Sequence, residues 1–363
     1  MNEPTQNLQR QFDLCQRYHL LERILGAVFP AGPVRVLDVG AGADDLSRAF
    51  LPDRFAITLA DTSTFGRSDI TLLRPGAPLP FADRAFDVVL AMDVLEHVPL
   101  AGRAGLVGEL ARVAGLAVVL SHPNRTAAVM ASERLLADAH RTRFGVESRF
   151  LGEHAEFGLP TGDEAPSALR SAALHVATFA NCPLVDWLPL TVIDVALLAQ
   201  FGIGGAKDAF NHAANVLAGD LRTSGEHYRT FVVGVREADL LPRLQAALSA
   251  SQRERTSADD LAVAELIART VVKLGEFPQL VSLQEAIGAK DEHIRKLELL
   301  LQQQAETLRV ALEAKDEHIR KLEAVTREQH ERLVTDIATV ARAKDEHIRK
   351  LEELLQQRAA PGR

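Results

Sequence analysis

Leu79-Pro80-Phe81-Ala82-Asp83-Arg84-Ala85-Phe86-Asp87-Val88-Val89-Leu90-Ala91-Met92-Asp93-Val94-Leu95-Glu96-His97-Val98-Pro99 reads as a turn, a buried strand and a polar loop in succession. Phe86 to Met92 is too short and too continuously apolar for an amphipathic helix, and it is followed by a helical pattern from Leu100 to Val113 and a second apolar run, Ala117 to Ser121. Upstream the same alternation occurs: Val34 to Val39 as a strand, Asp44 to Phe50 as a helix, Phe55 to Ala60 as a strand. Strands alternating with helices predict an open parallel sheet with crossover helices. An N-terminal helix over Leu8 to Phe29, stopped by Pro30, precedes it. Leu174 to Ala180 and Tyr228 to Val235 read as closing strands, with helical Val185 to Phe201 and Ala209 to Leu221 between them.

The first strand ends in Val36-Leu37-Asp38-Val39-Gly40-Ala41-Gly42, and glycines there let backbone approach a ligand closely. A dinucleotide site would continue to a third glycine. Here Ala43, Asp44, Asp45 and Leu46 follow, placing acid where a pyrophosphate would lie, so a cofactor without phosphate fits better. Leu59-Ala60-Asp61 puts a carboxylate at the end of the second strand, about twenty residues past the glycines, suited to accept from ribose hydroxyls. Dehydrogenases share that feature.

Taken in order, these segments closely resemble class I S-adenosylmethionine-dependent methyltransferases of the methyltransferase type 11-like kind, in which a Leu-Pro-Phe turn precedes Phe-Asp-x-Val and Leu-Glu-His-Val. The resemblance spans most of the first 120 residues. It implies an α/β fold: a Rossmann-like seven-stranded sheet with helices on both faces and an antiparallel hairpin at one edge. It implies S-adenosyl-L-methionine as cofactor, with Asp38, Gly40, Ala41 and Gly42 at the methionine part, Asp61 at the ribose, Leu79 near the adenine, and Thr62 and Asp93 completing the set. Two positions depart from the pattern. Asp44 stands at the usual third glycine, and Pro75 or Gly76 stands where many relatives carry an acid for the adenine amino group. Asp83 and Asp87 are read as structural.

Methyl transfer from a sulfonium needs positioning and a dry pocket more than catalytic groups, but a hydroxyl acceptor must lose a proton. His97, His122 and His154 follow sheet elements on the carboxyl side, and His97 and His154 are the catalytic candidates. No metal is expected. The alternative is a ligand set of Asp93, Glu96 and His97, completed by a distant His154; small-RNA 2'-O-methyltransferases and some ubiquinone-pathway O-methyltransferases look similar there. Trp187, on an apolar helix, is expected to pack in a core or lid, and Asn211 and His212 are equally explained by a polar helix face or an acceptor pocket. Ser121-His122-Pro123-Asn124, Leu151-Gly152-Glu153-His154 with Gly158-Leu159-Pro160, and Tyr228-Arg229-Thr230-Phe231-Val232-Val233 resemble a bacterial subgroup associated with glycan-building genes.

Near Leu240 the composition changes to almost continuous helix formers, and Ala-Lys-Asp-Glu-His-Ile-Arg-Lys-Leu-Glu recurs from Ala289, Ala314 and Ala343. The expected organisation is residues 1–240 as the methyltransferase domain, 241–284 as a helical linker and 285–358 as a coiled coil. The repeat offsets, 25 and 29, lie close to whole helical turns and mix seven- and eleven-residue steps, so all copies share one face. Ile294, Leu297 and Leu301, then Ile319 with Leu322, then Ile348 with Leu351 and Leu355, form an apolar seam that predicts a homo-oligomer. His293, His318 and His347 are read as solvated.

The 363 residues carry 47% hydrophobic and 25% charged residues, and the net charge of −8 gives no reason to expect nucleic-acid binding. Two widely separated cysteines, a polar start and no long apolar run predict a cytoplasmic chain without a membrane span. The expected function is methylation of a hydroxyl on a glycan or small molecule in bacterial polysaccharide biosynthesis. The layout resembles polysaccharide-modifying methyltransferases whose coiled coil docks them to membrane-bound synthesis machinery. The alternatives are a catalytically inactive scaffold working through its coiled coil and a nucleic-acid 2'-O-methyltransferase.

Overall fold

The computed structural model describes residues 7–201, 204–219, 221–222, 225–250, 252–275, 309, 312, 315–317 and 319–352. The chain divides into two compact units, Met1–Glu276 and Phe277–Arg363. The first is built on a seven-stranded sheet: β1 (Val34–Val39), β2 (Phe55–Asp61), β3 (Ile70–Leu72), β4 (Phe86–Met92), β5 (Ala114–Pro123), β6 (His175–Pro183) and β7 (His227–Val235). Its spatial order is β3-β2-β1-β4-β5-β7-β6. The first five strands run parallel, and β7 is antiparallel to both β5 and β6. β1, β2 and β4 lie where the apolar runs place them. The edge strand β3, three residues long, has no such signal.

Alternate strand residues point to opposite faces, so each apolar run feeds two cores. On one face Val36, Val88, Leu90, Val119, Phe231 and Val233 pack with Leu21, Ile24 and Leu25 of α1 (Phe12–Val28) and with Phe50 of α2 (Leu46–Phe50). On the other, Leu37, Val39, Val89, Val118, Leu120 and Val232 pack with Val107 and Leu110 of α3 (Leu100–Val113).

Between β5 and β6 the chain forms α4 (Ala127–Phe144), α5 (Arg149–Phe157) and α6 (Glu164–Ser171); between β6 and β7 it forms α7 (Leu184–Phe201) and α8 (Ala206–Ala218). A third apolar cluster joins α4, α7 and α8, with Trp187 stacked on Tyr228 at 3.8 Å between ring centroids. Beyond β7, α9 (Leu240–Ala250) buries Leu240, Leu244 and Leu248 against α1, and α10 (Ser257–Gly275) buries Val263 in the third cluster. The change of composition near Leu240 thus marks the loss of Gly and Pro punctuation, while the packed unit continues through both helices.

In the second unit, residues 319–352 form a helix. Lys321 pairs with Glu317 at 2.8 Å and Lys350 with Glu346 at 3.1 Å, while Ile319, Leu322, Leu333, Ile337, Val340, Ile348 and Leu351 are exposed along it. The first copy of the repeat, with His293, Ile294 and Leu297, lies outside the described residues, as do Leu301, His318 and Leu355. Among the described residues no helix is long and apolar enough to cross a membrane.

One polar cluster ties the first unit together. The guanidinium of Arg229 on β7 is fully buried and donates to both oxygens of Asp93, just past β4, at 2.7 and 2.8 Å. It also reaches Asp13 of α1 at 2.8 Å and Asn181 of β6 at 3.3 Å. Arg17 of α1 adds a second cation 3.1 Å from Asp93, and the Ser121 hydroxyl of β5 donates to it. Removing one partner of such a buried set leaves an uncompensated charge, at a cost of about 3–5 kcal/mol. Arg229→Gln is therefore expected to lose about that much unfolding free energy in urea titrations, whereas Arg35→Gln, at an exposed pair with Asp87, changes it by less than about 1 kcal/mol.

Candidate active site

The chain leaves β1 toward β2 on one side and later enters β4 on the other, so the order of the sheet switches between β1 and β4. Open α/β sheets bind ligands in the crevice at the carboxyl ends of the strands at such a point. Three loops start there: Gly40 to Asp45 after β1, Thr62 and Ser63 after β2, and Asp93 to His97 after β4.

Gly40 has φ +77°, and a Cβ at this position would lie 2.5 Å from Val94 Cγ2. Only glycine lets the β1 loop pass so close to the β4 loop. Gly42 has φ +69° with nothing within 4 Å of where its Cβ would be, so the backbone there faces open space. Asp61 fastens the loops: Oδ2 accepts the Gly42 N–H at 3.0 Å, and Oδ1 accepts the Ser63 N–H at 3.1 Å and the Thr62 hydroxyl at 3.3 Å. Asp38 is buried with Oδ2 unpartnered, and burial pushes its carboxyl up to about 6. Ala41 is buried against Leu59 and Ile70. Asp44 is exposed, and Asp45 is neutralised by Arg48 at 3.0 Å and Arg67 at 2.9 Å.

Two expected cofactor residues have their polar groups engaged elsewhere. Leu79 is a core side chain beside Leu37 and Val89; its N–H donates to Glu109 at 2.8 Å and its carbonyl accepts from Arg112 at 3.0 Å. Asp93 is held by Arg229, Arg17 and Ser121, which keep its carboxyl well below the usual range despite burial. Asp83 and Asp87 pair with Arg112 and Arg35.

The histidine candidates separate. His122 is buried in β5 with Nδ1 against the Pro123 carbonyl. His97, at the end of a single helical turn (Leu95–His97), and His154, on α5, face each other with ring centroids 4.9 Å apart. Glu153 holds His97 Nδ1 at 2.8 Å and is itself held by Arg149 at 2.8 Å. Glu133 of α4 holds His154 Nδ1 at 2.9 Å and accepts the Tyr228 hydroxyl at 2.9 Å. Burial, then the neighbouring His154, lowers the His97 pKa, so its imidazole is neutral near pH 7. Glu96 is buried with both carboxylate oxygens unpartnered; burial, then Asp93, pushes it well above the usual range. Glu96, His97 and His154 each bring one ligand atom within 4.8 Å of the others.

Trp187 packs in the third cluster, and Asn211 donates at 2.7 Å to Asp194, which Lys207 also pairs. Sequence reasoning assigned no role to Arg229, Arg17, Asp13, Glu133 or Glu153. Glu153 adjoins His154 and carried a local signal, whereas Arg229 lies 136 positions from the carboxylate it binds.

No protein-family model and no curated protein sequence matches the chain. Solved structures do. One is the Haloferax volcanii complex of the Trm112 methyltransferase activator with a methyltransferase, at 19% identity, 61% of this chain, 90% of that chain and TM-score 0.35. Another is the cyclase SpnF, at 16% identity, 60% and 80% coverage and TM-score 0.39. A third is the Synechocystis PCC 6803 magnesium protoporphyrin IX methyltransferase with bound SAH, at 13% identity, 61% and 83% coverage and TM-score 0.34. The strand order is that of the class I methyltransferase fold. At these identities and TM-scores the likeness assigns no activity.

The buried Asp38 gives a signed pH dependence. Its folded pKa of about 6 exceeds the ordinary 3.8, so the folded state binds more protons and stability falls as pH rises through that window. Asn cannot ionise. The unfolding free energy of Asp38→Asn minus that of the wild type is expected to grow by roughly 2–3 kcal/mol between about pH 4 and pH 7; a flat difference would contradict the burial of a titrating carboxyl.

Proposed function

We propose that this chain transfers a methyl group from S-adenosylmethionine to a hydroxyl of a glycan or similar small acceptor. The observation that carries the reading is the position of the open Gly42 backbone and Asp61 at the sheet's switch point, where the loop carrying Glu96 and His97, which meet His154 of α5, also begins. The residues suit the cofactor. Asp61 accepts from hydroxyls, the unpartnered buried oxygen of Asp38 suits an ammonium donor, and Gly42 leaves room for close approach. When bound, the cofactor supplies a methyl group on an activated sulfonium leaving group.

The chain's own residues do the rest. Asp61 positions the ribose side, and the Gly40 turn brings the β1 loop against Val94, which leads into Glu96 and His97. A hydroxyl acceptor would have to lose its proton as it takes the methyl group. That task falls to the histidine cluster, whose rings are oriented from behind by Glu153 and Glu133. The exposed seam of the C-terminal helix supports pairing with a second copy of this chain, and two unbridged cysteines support a reducing, cytoplasmic setting. Docking to membrane-bound glycan machinery through the coiled coil belongs to the same reading.

Calorimetric titration with S-adenosylmethionine should give binding that Asp61→Ala weakens at least tenfold, about 1.4 kcal/mol or more. Mass spectrometry of acceptors incubated with cofactor should find the gain of one methylene on a hydroxyl-bearing glycan, slowed about 10²-fold or more by His97→Gln. No heat at millimolar cofactor would overturn the enzyme reading. In sedimentation, the chain should run as an oligomer that Ile337→Lys dissociates; a wild-type monomer at high micromolar concentration would contradict the pairing of tails.

A further inference from the structure

We propose that Glu96, His97 and His154 bind one divalent transition-metal ion. The three ligand atoms lie within 4.8 Å of one another, on two elements that meet only in the folded chain: the turn after β4 and α5. A cation with bonds of about 2.0–2.2 Å draws them inward by side-chain rotation.

Two independent observations point to a ligand. The Glu96 carboxylate is 1% exposed with both oxygens unpartnered, and His154 is 7% exposed with Nε2 unpartnered. Buried polar atoms without partners are expensive, and here they converge on one point. The second observation is the support behind each ring. Each histidine's Nδ1 is held by a carboxylate, Glu153 or Glu133, and those carboxylates are fixed in turn by Arg149 and Tyr228. This arrangement leaves Nε2 of each ring to the cation and is the one that orients metal-bound histidine. A purely packed pair of histidines requires neither the matched carboxylates nor an unpaired acid within 4.8 Å of both.

Asp93 is excluded as a ligand because Arg229 and Arg17 neutralise it, so of the four residues read from the sequence, Asp93, Glu96, His97 and His154, the last three remain. The donor set that remains, two imidazoles and one carboxylate, suits zinc, iron(II), cobalt or manganese better than calcium or magnesium. Three protein ligands leave a coordination position open, where an acceptor hydroxyl binds and becomes more acidic. That role rests on the proposed methyl transfer, with the histidines then holding the ion rather than taking the proton themselves. Ion binding itself does not rest on it.

The test uses the full chain, cleaved of any affinity tag and stripped with chelator, titrated with cobalt(II) by visible absorption and with zinc against a chromophoric indicator. One ion per chain with micromolar or tighter affinity is expected, weakened at least tenfold in Glu96→Gln, His97→Gln and His154→Asn, and about tenfold in Glu133→Gln, which touches no ion. His347→Ala, in the repeat, should bind like the wild type. His97 is half-buried, so His97→Gln keeps a readout if a more buried variant fails to fold, with circular dichroism melts as the check. Absence of stoichiometric binding, or equal binding by wild type and His97→Gln, overturns the proposal and leaves the cluster as hydrogen-bonded side chains. If cobalt binds but S-adenosylmethionine does not, the metal site stands and the transfer reading falls; the converse leaves the transfer reading with a histidine base.

Discussion

The buried pairing of Arg229 with Asp93 is the constraint on which the rest of the first unit depends. It joins β7 to the carboxyl end of β4 and, through Asp13, Arg17, Ser121 and Asn181, to α1, β5 and β6. A buried ion pair is not by itself a large source of stability, because desolvation offsets most of the attraction. What it supplies is register. A one-residue slip of β7 would place Arg229 on the other face and leave Asp93 with Arg17 as its one cation beside the Ser121 hydroxyl.

That register matters because Asp93 opens the loop carrying Val94, Glu96 and His97. With φ +54°, Asp93 turns the chain sharply out of β4, a conformation that costs a non-glycine residue about 1–2 kcal/mol unless its surroundings hold it. The three donors on its carboxylate do so. Val94 then sits against Gly40, and His97 sits against His154 of α5, whose own ring is fixed through Glu133 and Tyr228. Tyr228 adjoins Arg229 on β7, so one strand orders both sides of the histidine cluster.

The parts legible in the sequence were those with local signals. β1, β2 and β4 are apolar runs bounded by polar turns, and the Gly40 to Gly42 loop with Asp61 is a pattern of fixed spacing. Ile70–Leu72 was not legible because three residues carry no period. The extent of the first unit was not legible because the burial of Leu244 on α9 and Val263 on α10 leaves no mark in composition. Asp93 looked like a ligand-binding acid because position alone cannot reveal a guanidinium that arrives more than a hundred residues later. Glu133 and Glu153 were missed for a similar reason: their meaning comes from the rings they touch. His97 and His154 were both singled out as candidates, and their ring centroids lie 4.9 Å apart with the planes tilted by 47°.

On the proposed methyl transfer, the switch point between β1 and β4 would hold the methyl donor with its sulfur directed at the cluster of Glu96, His97 and His154. A crystal structure of the chain with S-adenosylhomocysteine at saturating concentration tests it most directly. The account predicts ribose hydroxyls on Asp61, the amino-acid part along Gly40 to Gly42 beside Asp38, and the sulfur facing His97. Density for the ligand elsewhere on the fold, or a loop geometry in which Asp61 stays turned from the ribose, would contradict it.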